Sequence, residues 1–280
     1  VSDLNRDEPC RLRLLSYNIQ VGISSTRPHH YLTKSWKHLL PARRRFEILQ
    51  RIAQVLQPHD LVALQELDAG SHRTGYVDLT AYLADQADFP YWHHQLNRNF
   101  GRLAQHGNGL LSRIAPQRIS EYRLPGMIPG RGALVAEFGH SDESLAVILL
   151  HLALGRRARL RQLDYISDLV NRYRHVIVMG DMNCAPCDLE MGLLFRRTRL
   201  QAPDQRLCTY PSWQPQRPID HILVTPELVV ESLEVLPHNL SDHLPLSMTL
   251  QLPPSLSLRC RRDPARAVAT YSARPSAPIV

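Results

Sequence analysis

Residues 175–183 read His175-Val-Ile-Val-Met179-Gly180-Asp181-Met182-Asn183. A short run of apolar, mostly β-branched residues that stops at a glycine, an acid and an amide has the pattern of a buried strand delivering polar groups to its end. The same construction recurs on both sides of it. The stretch Arg11–Ile19 (RLRLLSYNI) is a strand carrying Asn18, and Leu61-Val-Ala-Leu64 runs into Gln65-Glu66. The run 145–151 (LAVILLH) closes on His151, Asp220-His221 opens the strand 220–225, and Ser241-Asp242-His243 precedes another at 246–252. Further strands are predicted at 108–112, 132–138 and 228–236. Helical spacing appears at Phe46, Leu49, Ile52, Ala53 and Leu56, behind Pro41 and ended by Pro58. It appears again over 76–87 and over 158–173, where Leu160, Leu163, Ile166 and Val170 share a face. Strands dominate and helices alternate with some of them, which predicts an α/β or α+β fold with a mixed sheet.

The composition supports one sizeable folded unit. The chain has 280 residues, 44% hydrophobic and 21% charged, with 33 Lys+Arg against 26 Asp+Glu. This excludes a disordered or fibrous chain. No linker divides residues 1–252, which are read as one catalytic domain. Residues 253–280 contain five prolines, five arginines and one aspartate, and are expected to form a disordered tail. No apolar run approaches the roughly 18 residues that span a bilayer. The start, VSDLNRDEPCRLR, has no apolar core of a signal peptide. Five cysteines, an odd number, do not suggest a disulfide framework, so a cytoplasmic location is expected. Cys184 and Cys187 have the spacing of a zinc or redox pair, yet no second pair stands at zinc-finger distance, which favours a packing role. The net charge of +7 suits a polyanionic partner such as nucleic acid or an anionic lipid surface, or an arginine-rich solvated surface equally well.

Strand ends gather on one rim of a sheet, so Asn18, Glu66, His151, Asp181, Asn183, Asp220, Asp242 and His243 are candidates to converge. Carboxylates with amide oxygens suit a hard cation such as Mg²⁺. A histidine beside an aspartate supplies acid–base chemistry near neutral pH. Asparagine can hold a phosphoryl oxygen or orient water. These are the parts for metal-assisted hydrolysis of a phosphate ester. Each residue alone has an ordinary reading: a turn or helix cap for strand-end Asn and Asp, solvent exposure for His221, a core hydrogen bond for His151.

Seven segments, in order, carry a resemblance: Ser16-Tyr-Asn18-Ile, Leu64-Gln-Glu66, Gly109-Leu-Leu-Ser112-Arg113, His151-Leu, Gly180-Asp181-Met-Asn183, Ile219-Asp220-His-Ile and Ser241-Asp242-His243-Leu-Pro. Together they resemble the endonuclease/exonuclease/phosphatase superfamily, which includes deoxyribonucleases, abasic endonucleases, deadenylases, neutral sphingomyelinases and inositol polyphosphate phosphatases. The resemblance covers about residues 12–252. It implies a four-layer α/β sandwich of two packed, mostly antiparallel sheets flanked by helices. It also implies Mg²⁺ or Mn²⁺ held by Glu66, with Asn18 and Asp242 close by. Asp181 and Asn183 would position and activate water, and His151 would serve the leaving oxygen. His243, paired with Asp220, would contact the scissile phosphate or share the base role. Gln20 stands where abasic endonucleases carry an acid, which disfavours that subfamily.

The expectation is therefore a metal-dependent phosphodiesterase, nuclease-like in its chemistry, acting on a phosphate ester such as DNA or RNA, with no protein partner inferred. The alternatives are a phospholipid or sphingomyelin phosphodiesterase, and a nucleic-acid-binding protein that kept the fold without catalysis. A lipid enzyme would present an exposed apolar or aromatic hairpin, for which residues 89–100 (FPYWHHQLNRNF) are the aromatic-rich candidate, core packing being the equal alternative. In the basic run 155–162 after His151, Arg156 and Arg157 are candidates to approach substrate phosphates, a solvated helix face being the equal alternative.

Overall fold

The computed structural model describes residues 10–20, 42–68, 77–99, 105–126, 130–139, 143–202, 204–256 and 258. Residues 22–40, whose polar, His-rich sequence with Trp36 reads as a loop, and all of the proposed tail after Leu258 lie outside the described residues. The elements run β1 (Arg11–Asn18), α1 (Ala42–Leu56), β2 (Leu61–Asp68), α2 (Leu79–Gln86), β3 (Tyr91–Asn99), β4 (Gln105–Ser112), β5 (Arg118–Arg123) and β6 (Gly132–Phe138). They continue with β7 (Leu145–His151), α3 (Arg156–Val170), β8 (His175–Asp181), α4 (Leu189–Arg197), β9 (Asp220–Val224), β10 (Val229–Val235) and β11 (Leu246–Gln251).

Two sheets form, six strands in the order β10-β11-β1-β2-β4-β3 and five in the order β5-β6-β7-β8-β9. Each has a single parallel pair, β1 with β2 and β7 with β8, and its other neighbours are antiparallel. A parallel pair requires a crossover, and a helix supplies it each time: α1 between β1 and β2, α3 between β7 and β8. The inner faces pack together. Leu12, Leu14, Leu61, Ala63 and Leu110 of the first sheet share one core with Leu134, Phe138, Val147, Leu149, Ile177 and Met179 of the second. The outer face of the first sheet packs Leu15, Tyr17, Val62 and Leu64 against Leu49, Ile52 and Leu56 of α1 and Leu83 of α2. The outer face of the second packs Ile148, Val176 and Val178 against Leu163, Ile166 and Val170 of α3 and Met191 and Leu194 of α4. The result is the expected four-layer sandwich. Central strands buried on both faces explain why β7 and β8 read as unbroken apolar runs.

Several elements differ from the sequence reading. Of the segment 89–100, residues Tyr91–Asn99 form strand β3, with Phe89 buried in the outer core, Trp92 packed against that core and Leu96 exposed; Phe100 lies outside the described residues. Strand β5 and helix α4 were not predicted. The former is an edge strand with only Ser120 buried; the latter spans nine residues and leaves Leu189 and Leu193 exposed. Packing also runs past Leu252, because Leu256 and Leu258 are buried in the inter-sheet core.

Candidate active site

Both parallel pairs end at the same edge of the sandwich, and their last residues are the candidates. In the first pair Asn18 stands in register with Gln65, and in the second His151 stands in register with Asp181. Asn18 Nδ2 donates to Asp181 Oδ2 at 3.1 Å, a buried hydrogen bond that ties one sheet to the other. Asn18 Oδ1 in turn accepts the Gln20 backbone N–H.

Local backbone geometry aims the acids. The β2–β4 register breaks between Leu64 and Leu67, and Glu66 in that bulge has φ +58°. A bulge re-aims a side chain that a regular pleat would turn elsewhere, and an acid in left-handed backbone persists only where its surroundings hold it. Gln65 is fully buried and turned toward Ser16, whereas Glu66 is partly open. In β8, Gly180 has φ +144°, and a Cβ there would sit 1.9 Å from the Leu150 carbonyl oxygen. Only glycine allows β8 to press that closely on β7 and so hold Asp181 beside His151. His151 Nε2 lies 3.5 Å from Asp181 Oδ2.

Strand β9 starts with Asp220, directly across from Asp181. His243 Nδ1 donates to Asp220 Oδ2 at 2.8 Å, and its Nε2 lies 3.9 Å from Asp181 Oδ2. Asn183 caps the turn after β8: its backbone N–H donates to Asp181 Oδ1 and its side-chain amide donates to the Leu152 carbonyl. That leaves the Asn183 side-chain oxygen as the group available to a water or substrate.

The electrostatics divide these residues into two kinds. Burial, followed by the charge of Asp220, pushes Asp181 up to about 7, with Glu66 adding to the rise. Asp242 is raised by burial and by Glu66. Burial opposes a charge on His243, yet Asp220, through its charge and hydrogen bond, together with Asp181 and Asp242, holds it up at about 10. These acids hold His243 as an imidazolium at neutral pH, while burial and the charge of Glu66 raise Asp181 and Asp242 against the lowering effect of His243.

Such a donor set fits a hard dication: carboxylates raised by burial and by a neighbouring acid, as Asp181 and Asp242 are, are groups an ion stabilises. Two placements compete. Ligand atoms of Asp181, Asp220 and His243 lie within 4.8 Å of one another. There, however, Asp220 Oδ2 already accepts from His243, and the imidazolium repels a cation. On the other side Asn18 Oδ1 is likewise engaged, by the Gln20 N–H, while Glu66 acts by its charge on both Asp181 and Asp242, so this edge offers carboxylate oxygens on either side of Asp181.

All eight candidates thus lie at one edge, with the inter-sheet hydrogen bond and Coulomb coupling linking them. His221 is a correction: it is buried, and its Nε2 meets the Cys184 carbonyl at 2.8 Å, so it packs under the site and does not face solvent. Cys184 is a buried neutral thiol, its pKa pushed up to about 12 by burial, and Cys187 is exposed. Of the basic run after His151, Arg159 is buried on Glu190, Arg156 leans 3.6 Å from the same acid, and Arg157 is exposed. Sequence reasoning missed the segment Thr209-Tyr-Pro-Ser212. The Thr209 hydroxyl donates to Asp220 Oδ2 at 2.5 Å, and the Tyr210 ring stands 4.9 Å from that of His243. The only signal was a hydroxyl and an aromatic clustered eleven residues before Asp220.

The model of the Endonuclease/Exonuclease/phosphatase family matches residues 15–243. The chain belongs to that family. Among solved structures, an endonuclease/exonuclease/phosphatase from Beutenbergia cavernae is similar at TM-score 0.67 and 22% identity, over 86% of this chain and 72% of that one. A mannosyl-6-phosphatase of Bacteroides thetaiotaomicron is similar at TM-score 0.62 and 15% identity, over 85% and 99%. D. rerio TDP2 humanized by 14 mutations is similar at TM-score 0.59 and 17% identity, over 86% and 99%. At these identities the likeness is one of fold. No curated protein matches the sequence significantly. Family members are generally phosphoesterases with divalent-metal dependence, and this family member retains the acids, amides and histidines such chemistry uses.

Proposed function

We propose that this protein is a Mg²⁺- or Mn²⁺-dependent phosphodiesterase with nuclease-like chemistry, acting on DNA or RNA in the cytoplasm. The observation that carries the reading is the geometry around Asp181. This one buried carboxylate accepts from Asn18 of the other sheet and faces both His151 and His243. The residual positive charge and exposed Arg157 support a polyanionic substrate.

Glu66, Asp242 and Asn18 would hold the cation. When bound, it supplies charge neutralisation at the phosphoryl oxygens and lowers the pKa of nearby groups. Asp181, poised near neutrality, takes the proton of the attacking water as the water oxygen bonds to phosphorus. The Asn183 side-chain oxygen orients that water by accepting its other proton. The His243 imidazolium faces the negative phosphoryl oxygens, a role its charge favours over that of base. As the bond from phosphorus to the leaving oxygen breaks, His151 is placed to protonate that oxygen.

The test is a substrate panel on purified protein: plasmid DNA, single-stranded RNA, sphingomyelin, phosphatidylglycerol and inositol phosphates, each with Mg²⁺ or EDTA. Metal-dependent cleavage of a nucleic acid is expected. Cleavage confined to a lipid would move the substrate class, and binding of nucleic acid without turnover of any substrate would overturn the enzymatic reading.

A further inference from the structure

Asp220 bears on the proposed chemistry through its hydrogen bond to His243 and through its charge on Asp181, so whatever fixes Asp220 also fixes the imidazolium. Its carboxylate is buried, and the two oxygens are used unequally. Oδ2 accepts both from His243 Nδ1 and from the Thr209 hydroxyl, while Oδ1 has no hydrogen-bond partner among the described residues. A carboxylate held through one oxygen can turn about its Cβ–Cγ bond and offer the other. A second donor on the same oxygen removes that freedom.

Thr209 is suited to be that donor because it cannot move. It is fully buried, and its backbone N–H donates to the Arg217 carbonyl while its own carbonyl accepts from the Leu244 N–H. Leu244 directly follows His243. The next turn is stapled in the same direction: the Ser212 N–H donates to the Asp242 carbonyl, and the Ser212 hydroxyl donates to the Ser241 carbonyl. The segment therefore grips the loop 241–244 through its backbone while the Thr209 side chain grips Asp220.

We infer that Thr209 is a positioning residue of this site, its hydroxyl fixing the Asp220 carboxylate so that His243 presents Nε2 toward Asp181 and the scissile phosphate. This rests on the phosphodiesterase reading for its effect on rate, but not for its effect on the His243–Asp220 hydrogen bond. A threonine chosen only for packing would be replaceable by valine, which has the same shape. A hydroxyl that holds the dyad is replaceable by serine and not by valine.

The experiment compares wild type, Thr209→Val and Thr209→Ser by steady-state kinetics on bis-para-nitrophenyl phosphate with Mg²⁺, by thermal unfolding, and by proton NMR of the His243 Nδ1–H. The His243→Ala variant assigns that resonance. For Thr209→Val, kcat should fall by about 10- to 100-fold with KM within about twofold, as for loss of an interaction that matters in the transition state. The Nδ1–H resonance should shift or broaden. Thr209→Ser should restore kcat to within about threefold and restore the resonance. If Thr209→Val does not fold, Thr209→Ala takes its place, since it too lacks the hydroxyl. Unchanged kcat and resonance in the hydroxyl-free variant, or a serine variant as impaired as valine, would overturn the inference. If wild type hydrolyses no phosphodiester, the functional reading fails by itself, and the NMR comparison alone decides on Thr209.

Discussion

The two sheets bring matching devices to one edge, a parallel pair crossed by a helix, yet they equip that edge differently. The second sheet delivers Asp181 and Asp220, which face each other across β8 and β9 and are compensated by hydrogen bonds from Asn18, Asn183, Thr209 and His243. The first delivers Glu66 on a bulge, whose charge raises both Asp181 and Asp242. One half is fixed by a dense set of hydrogen bonds, and the other brings an acid that acts on its neighbours by charge. Under the proposed function the contrast is a division of labour: hydrogen bonds would preorganise the groups that handle protons, and the acid on the bulge would serve the metal.

The largest effect is expected at Glu66, the acid proposed to hold the metal. Glu66→Gln should lower kcat/KM by about 10³-fold or more, because the ion's charge is lost to the reaction. The same change should leave the metal-free protein as stable as wild type or more so, since it relieves repulsion; denaturant titration in EDTA checks this. Asp220→Asn should lower kcat/KM by about 10²-fold, and in EDTA it should destabilise the fold, because His243 loses its counter-charge. The opposite signs of the two stability changes separate the halves. If both variants are destabilised alike in EDTA, the distinction between them is wrong.

A change in the shared scaffold sharpens the contrast. Leu256→Ala should destabilise by about 2 kcal/mol or more through a cavity in the inter-sheet core, with kcat/KM of the folded fraction unchanged. Melting curves and assays at low temperature read the two effects separately. The smallest effect is on pH dependence. His243 is raised in the folded state, so the stability it contributes is complete below pH about 6.5 and is lost as pH rises through about 10. Asp181, raised to about 7, acts in the same direction between about 4 and 7. Metal-free protein should thus lose stability with rising pH, and His243→Gln should flatten the alkaline part of that slope.

The legibility of the sequence followed the same division. Strands buried on both faces, such as 145–151 and 175–181, announce themselves as apolar runs, and their polar terminators mark the rim. Edge strand β5 buries one residue of six and has no such signature. Aromatic β3 reads equally as an exposed hairpin or as core packing until its partner β4 is known, because pairing is not a local property. Ordered motifs named the acids and histidines, but neither the bulge that turns Glu66 nor the one-oxygen grip of Thr209 on Asp220 has a pattern. Both arise where distant segments meet. His221 shows the converse: a histidine beside an acid looks solvent-facing in the alternation, yet the α4 side of the sheet covers it.

The central claim is that the cation belongs to the Glu66 side and the imidazolium to the Asp220 side. Calorimetric titration of Mn²⁺ into metal-free wild type, Glu66→Gln and His243→Ala tests it most directly. The account predicts binding to wild type and His243→Ala, with affinity lost in Glu66→Gln. Retained affinity in Glu66→Gln together with loss in His243→Ala would place the ion among Asp181, Asp220 and His243, and would contradict it.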